Sequence, residues 1–326
     1  MRVLVLGGPG LIGVAVIRDL IKHCHKVLAL SRSTRSVAIL KALGASPLRG
    51  DLRAPDAWVQ SVRRVDAVIQ VAATFTEDMG QVESKALKAM IQALGRKDGK
   101  IRLIYTGGVW LYGATGNSIA NETTQFQPMP ALAWMVETSE KLLHTQAFAT
   151  AVIHPAMVYH QVGGAFSRFI DCAKQHKQIE IWKDGATRLP LIHRNDLAMA
   201  YRLLLEQPKL TGHFNASAQI GVRVDTIAKT IAQNTAAPMV LRSYPPPLCV
   251  KNTGFGQTGQ CWTSKWHHRG YKRFATGNRP SPTSQPACKQ TYGRNHGKQI
   301  KIPHHRAFLT PKCRALFGPN SGAKPV

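Results

Sequence analysis

No acidic residue follows Asp225 in this chain of 326 residues. No apolar run approaches the roughly 18 residues of a membrane-spanning helix, so a membrane span is not expected. Cysteine is scarce: there are six, and none form Cys-x-x-Cys, which excludes a disulfide scaffold. The opening Met1–Gly8 is too short and too soon rich in glycine for a secretory apolar core, so the expected compartment is the cytoplasm.

What is present supports a core. The chain is 44% hydrophobic, and its length suits one large or two small domains. The charge is uneven. Of the formal +26, residues 1–240 carry 28 Lys+Arg against all 17 acids, and residues 241–326 carry 15 Lys+Arg against none. The tail holds only 12 Leu, Ile, Val and Phe, with 10 Pro and 9 Gly. Such a composition buries too little apolar surface to offset chain entropy. A folded part to about 240 and a basic, irregular tail at 241–326 are expected.

Three readings of the tail stand side by side. It is a disordered solvated extension; or it binds nucleic acid or an acidic surface, through Lys and Arg interleaved with Trp262, Trp266, Tyr271, Phe274 and Tyr292; or it is out-of-frame translation in place of a lost C-terminal lobe. There is no Arg-Gly repeat and no dense basic block, which counts against nucleic acid. Cys249, Cys261, His267, His268, Cys288, His296, His304, His305 and Cys313 match no zinc-finger spacing, so no metal is expected.

The folded part alternates. Strands are expected at Arg2–Leu6, Lys26–Leu30, Ala45–Leu48, Asp66–Val71, Ile101–Thr106 and Thr150–His154, the last stopped by Pro155. Helices are expected at Leu11–His23, Thr34–Leu43, Thr76–Leu94 and Ala131–Phe148. Repeated βα units imply an α/β fold: a doubly wound parallel sheet with helices on both faces and ligands at the carboxyl ends of the strands.

Gly7-Gly8-Pro9-Gly10-Leu11-Ile12-Gly13 joins the first strand to the first helix. Gly7 permits the tight turn, Gly10 lets backbone N–H groups approach a pyrophosphate, and Gly13 lets the helix pack close to the strand. Leu11 and Ile12 open that helix, whose positive dipole end faces the phosphates. After the second strand the chain reads Leu30-Ser31-Arg32-Ser33, with no acid to take a ribose 2′-hydroxyl. Arg32 and Ser31 suit a 2′-phosphate, which favours NADP(H) over NAD(H).

These residues resemble an extended or atypical short-chain dehydrogenase/reductase of the NAD-dependent epimerase/dehydratase family, over residues 1–235. Gly50-Asp51-Leu52 is similar to the segment whose Asp contacts adenine. Val71-Ala72-Ala73 is similar to the strand-four segment lining the cofactor cleft. Thr106-Gly107-Gly108-Val109-Trp110-Leu111-Tyr112-Gly113 resembles the strand-five active-site segment, and His154-Pro155-Ala156-Met157-Val158-Tyr159 the segment near the nicotinamide. Leu191–Ala198 and Phe214-Asn215 resemble two later family segments. The resemblance implies a Rossmann domain at 1–155, substrate-lobe elements at 156–240 interleaved with the last sheet strands, and cofactor contacts from Asp51, Leu52, Ala72, Ala73, Thr106, His154 and Pro155. It also implies a small-molecule substrate and a homodimer. Because the tail stands where further lobe elements belong, the lobe is expected to be incomplete.

The catalytic positions depart from the family. Gly108 stands where the family has Ser, Trp134 where it has Tyr, and Thr138 where it has Lys. An indole N–H is a donor with no acid/base use near neutrality. Tyr112 is a weak substitute, its family counterpart being structural. Glu137 and Lys141, four apart, read as an exposed helix pair. Trp110 and Trp134 read equally as an apolar wall beside the nicotinamide or as packing. His193 and Asp196 read as holding a lobe helix, and Arg168 or Arg188 as holding an anionic substrate or lying at the surface. Two functions follow: an oxidoreductase acting on a carbonyl or alcohol with a non-standard proton donor, or a catalytically silent NADP(H)-binding sensor or interaction module.

Overall fold

The computed structural model describes residues 1–95, 100–116, 118–182, 185–235, 238–242, 292–295 and 298–300. Seven strands form one parallel sheet in the order β11-β6-β5-β4-β1-β2-β3. They are β1 (Arg2–Leu6), β2 (Lys26–Ser31), β3 (Ser46–Arg49), β4 (Ala67–Gln70), β5 (Ile101–Thr106), β6 (Phe148–Pro155) and β11 (Gly212–Ala216). All six pairings are parallel. The central strands read as unbroken apolar runs because both faces are covered. Val3 and Val5 enter one core, with α1 (Leu11–Lys22) and α6 (Arg194–Glu206); Leu4 and Leu6 enter the other, with α3 (Met79–Leu94) and Trp58. The fold is a Rossmann-type doubly wound α/β sheet.

The expected elements are there, with shifted ends. α2 spans Thr34–Ala42 and α3 begins at Met79 rather than Thr76. The largest correction concerns α4, expected to run to Phe148. It spans Ala133–His144, and Phe148, 1% exposed, opens β6 instead. Burial of that ring in the second core outweighs the local helical pattern. β6 ends at Pro155, one residue beyond the expected His154.

Arg102, in β5, is 2% exposed and has no acid partner among the described residues. Its guanidinium donates to the carbonyls of Leu204, Ala149 and Leu210 at 2.7–3.2 Å, tying the end of α6 to the sheet. Burial lowers its pKa to about 10.

A second set of elements follows β6. β7 (Met157–His160), β8 (Gly163–Gly164), β10 (Arg188–His193) and β12 (Gln219–Arg223) form a sheet in the order β12-β10-β7-β8. β9 (Ile179–Trp182) pairs in parallel with β13 (Met239–Arg242). With α5 (Ser167–Lys174) and α7 (Val224–Thr235) they enclose a separate core that includes Tyr159, Phe166, Ile170, Leu191 and Ile227. α6 and β11 return to the large sheet between them. Among the described residues no helix is long and apolar enough to cross a membrane.

Of the tail beyond 242, only β14 (Tyr292–Asn295) and β15 (Lys298–Ile300) are described, and they pair antiparallel. No strand was expected there. A two-strand ladder rests on backbone hydrogen bonds and needs no apolar periodicity. The nine Cys and His considered as metal ligands lie outside the described residues, as do Trp262, Trp266, Tyr271 and Phe274.

Candidate functional site

The glycine turn has the geometry its spacing implied. Gly7 has φ +91°, and a Cβ there would lie 2.6 Å from the Ala72 backbone, so the turn presses directly on the chain after β4. A Cβ on Gly13 would lie 2.2 Å from the Gly7 carbonyl oxygen. Gly10 caps α1 with no side-chain acceptor, and the first turn of α1 holds no acid. Backbone donors of Leu11 and Ile12 at the positive end of a 12-residue helix are therefore left to an external anion. This cradle fits a dinucleotide pyrophosphate.

Arg32 and Asp51, the residues expected at an adenosine end, lie together. The Arg32 guanidinium is 3.7 Å from the Asp51 carboxylate, and its side chain is 70% exposed. Asp51 is also fixed by the Arg53 N–H on Oδ1 and by the Trp58 indole on its carbonyl. Leu52 packs against the second core. Ser31 does not face outward as expected: it is 2% exposed and its hydroxyl donates to the Ser33 carbonyl. Gln70 brackets Ala72, accepting from its N–H and donating to its carbonyl at 3.2 Å each. Ala73 is exposed beside it.

Two expected cofactor contacts are turned inward. The Thr106 hydroxyl bonds the Gln70 carbonyl and the Tyr201 hydroxyl. His154 is fully buried with its ring beneath Gly107, where a Cβ would meet Nδ1 at 2.5 Å. Its Nδ1 accepts from the Gly108 N–H at 3.2 Å, and its Nε2 lies 2.9 Å from His213 Nδ1. His213 Nε2 in turn lies 3.1 Å from Glu140 of α4. Burial, then the neighbouring His213, lowers the His154 pKa to about 3, so it is a neutral strut under the Gly107–Gly108 segment. Pro155 is buried at the end of β6.

Of the three positions where catalytic side chains were expected, Gly108 and Trp134 are taken up by packing. A Cβ on Gly108 would lie 2.1 Å from Trp110 Cζ2: the indole occupies the space of the family's Ser side chain. Trp134 donates to the Ala131 carbonyl at 3.1 Å and lies over Gly80, where a Cβ would sit 2.9 Å from the ring. Trp110, Phe126 and Trp134 pack on a small cluster of Leu111, Leu132 and Met135. Thr138 follows Trp134 one turn on along α4. Tyr112 is 4% exposed, and its hydroxyl donates to Asn215 at 2.9 Å. Burial pushes its pKa up to about 12, so it is structural. Glu137 and Lys141 are a solvated pair 3.9 Å apart. His193 accepts the Asn195 N–H as the cap of α6. Arg168 and Arg188 donate to the carbonyls of Glu180 and Gly221.

One buried group had no signal in the sequence. Glu83 of α3, 7% exposed, accepts the Tyr105 hydroxyl of β5. Desolvation raises its pKa to about 7, opposed by hydrogen bonds from Tyr105 and Gln70. Only its place inside an otherwise apolar helix face could have drawn notice.

The NAD dependent epimerase/dehydratase family model matches residues 3–221. An uncharacterised protein of Schizosaccharomyces pombe is 25% identical over 243 residues, 74% of this chain and 82% of the relative. A 2-alkyl-3-oxoalkanoate reductase of Stenotrophomonas maltophilia is 41% identical over 219 residues, 63% of this chain and 66% of the relative. The solved UDP-glucose 4-epimerase of Thermus thermophilus, a complex with NAD, superposes with a TM-score of 0.63 at 18% identity, covering 82% of this chain and 93% of that one. By its glycine turn, its sheet order and the family match, the chain belongs to the NAD-dependent epimerase/dehydratase family.

Proposed function

We propose that this protein binds NADP(H) in preference to NAD(H) and acts as an oxidoreductase on a carbonyl or alcohol of an apolar small molecule. The uncapped, acid-free start of α1 in the Gly7–Gly13 cradle carries the reading. Arg32 supports the cofactor preference. Its pairing with Asp51 is exposed and worth little, so the guanidinium is free to turn to a 2′-phosphate. When bound, the nicotinamide supplies or accepts the hydride. Trp110, Phe126 and Trp134 give the adjoining wall an apolar aromatic surface, in keeping with the relative named for 2-alkyl-3-oxoalkanoates.

No side chain at positions 108, 134 or 138 can exchange a proton, so the proton comes from solvent or from the substrate's own groups. The same observation favours a second reading, an NADP(H)-binding module without chemistry, because Trp110 occupies the family's Ser space. Titration of NADPH and NADH against Trp fluorescence tests the cofactor; binding of neither below millimolar refutes it. Single-turnover oxidation of bound NADPH against alkyl-chain keto acids and aldehydes separates the two readings. Turnover of bound NADPH supports the enzyme, and its persistence with every carbonyl supports the module.

A further inference from the structure

β5 ends at Thr106, and the Gly107–Trp110 segment that follows it rests on a chain of hydrogen bonds leading to the surface. His154 of β6 lies beneath the segment, fully buried, with Nδ1 3.2 Å from the Gly108 amide nitrogen. Its Nε2 is 2.9 Å from Nδ1 of His213 on β11. Nε2 of His213 is 3.1 Å from Oε1 of Glu140 on α4. The His213 side chain is 15% exposed and that of Glu140 49%, so the chain runs from the core to solvent.

A backbone N–H is a donor only, and this fixes every link. His154 Nδ1 offers a lone pair to Gly108, so its ring hydrogen is on Nε2. His213 Nδ1 accepts that hydrogen, which leaves the hydrogen of His213 on Nε2, facing Glu140. A carboxylate is an acceptor only, so the last link has the same polarity. One assignment of hydrogens satisfies all three bonds. The reverse assignment turns a hydrogen of His154 against the Gly108 N–H and a lone pair of His213 against the carboxylate. Inside a protein such mismatched links are costly.

The surroundings hold the rings in line. Phe126 packs against both imidazoles, with 5.3 Å between centroids in each case. Its loop is tied to β11, where the Asn215 N–H donates to Glu122 at 2.9 Å. Gly107 leaves the His154 ring its place, since a Cβ there would lie 2.5 Å from Nδ1.

We propose that Glu140 and His213 are positioning residues for the Gly107–Trp110 segment. Glu140 sets the tautomer of His213, His213 sets that of His154, and His154 holds the Gly108 amide. The segment carries Trp110, part of the aromatic wall assigned to the substrate. The consequence for turnover rests on the oxidoreductase reading above; the tautomers and the Gly108 bond do not.

The test uses the full chain with isotope-labelled histidine. In the imidazole nitrogen NMR spectrum, wild type is expected to show both rings with a bare Nδ1 and a protonated Nε2. A hydrogen on Nδ1 of either ring overturns the proposal. Glu140→Lys replaces an exposed acceptor by a donor and so demands the opposite polarity. Both tautomers are expected to reverse, and the Gly108 amide to exchange with solvent about tenfold faster or more. Glu140→Gln keeps an acceptor oxygen and is expected to keep the wild-type tautomers and exchange rate. A merely structural Glu140 would lower the thermal midpoint of Glu140→Lys and leave tautomers and amide unchanged, which also overturns the proposal. Single-turnover oxidation of bound NADPH is expected to be about tenfold or more slower in Glu140→Lys than in Glu140→Gln. Equal rates despite reversed tautomers overturn the positioning role. A wild type without turnover removes the oxidoreductase reading alone, and the tautomers and the Gly108 exchange rate still decide the proposal.

Discussion

The Trp110 indole lies in the space that a side chain on Gly108 would need, with Cζ2 2.1 Å from where a Cβ would stand. A side chain at position 108 and the Trp110 indole in its present place therefore exclude each other.

Gly108→Ser alone is therefore expected to destabilise the fold by about 1–3 kcal/mol, through overpacking against the indole. Adding Trp110→Ala recovers part of that loss. Urea unfolding of both single variants and the double variant yields a coupling of about 1 kcal/mol or more. Strict additivity would show that the indole is free to move aside.

Gly13→Ala places a methyl group 2.2 Å from the Gly7 carbonyl oxygen and 2.7 Å from that of Gly8. Backbone cannot rotate away as a side chain does. The variant is expected to lose about 3 kcal/mol or more and to bind NADPH no better than millimolar. Wild-type affinity in a folded variant would remove the cradle from the cofactor site.

Arg32→Asp reverses the charge at the end of β2 and places it beside Asp51. NADPH affinity is expected to fall about tenfold or more while NADH affinity is kept or gained. An unchanged NADPH to NADH ratio in the fluorescence titration takes Arg32 out of the site.

Glu83 makes stability depend on pH. Its folded pKa is raised to about 7 from the ordinary 4.5, so between those values the folded chain holds a proton that the unfolded chain has released. Stability therefore falls as pH rises from about 4.5 to about 7 and is level above that, a loss on the order of 3 kcal/mol. Glu83→Gln keeps acceptor and donor capacity without the titration. Its stability relative to wild type should rise across that window. Parallel pH profiles of wild type and variant would show that Glu83 ionises at an ordinary carboxylate pKa.

Much of the nucleotide end was legible because its determinants are local. A glycine whose φ must be positive, a helix start without an acid and a strand end without one are properties of a few neighbouring residues, and the Gly7–Gly13 turn and the Leu30–Ser33 segment show them directly. The end of α4 was not legible. Ala131–Phe148 has a continuous helical pattern, and only the pull of Phe148 into the core beneath β5 breaks it.

The sequence by itself determined the alternating βα order, the glycine cradle, the place of Arg32, the vacant catalytic positions and the abrupt end of acidic residues at Asp225. Tertiary structure decided which of the named side chains face the cleft. It sent His154, Thr106 and Ser31 inward, filled the space at Gly108 with Trp110, and brought Glu83 to Tyr105. The physical reason is distance. Backbone conformation is set by neighbours in the chain, whereas burial and charge are set by groups up to 183 positions apart, as Asp19 and Arg202 are.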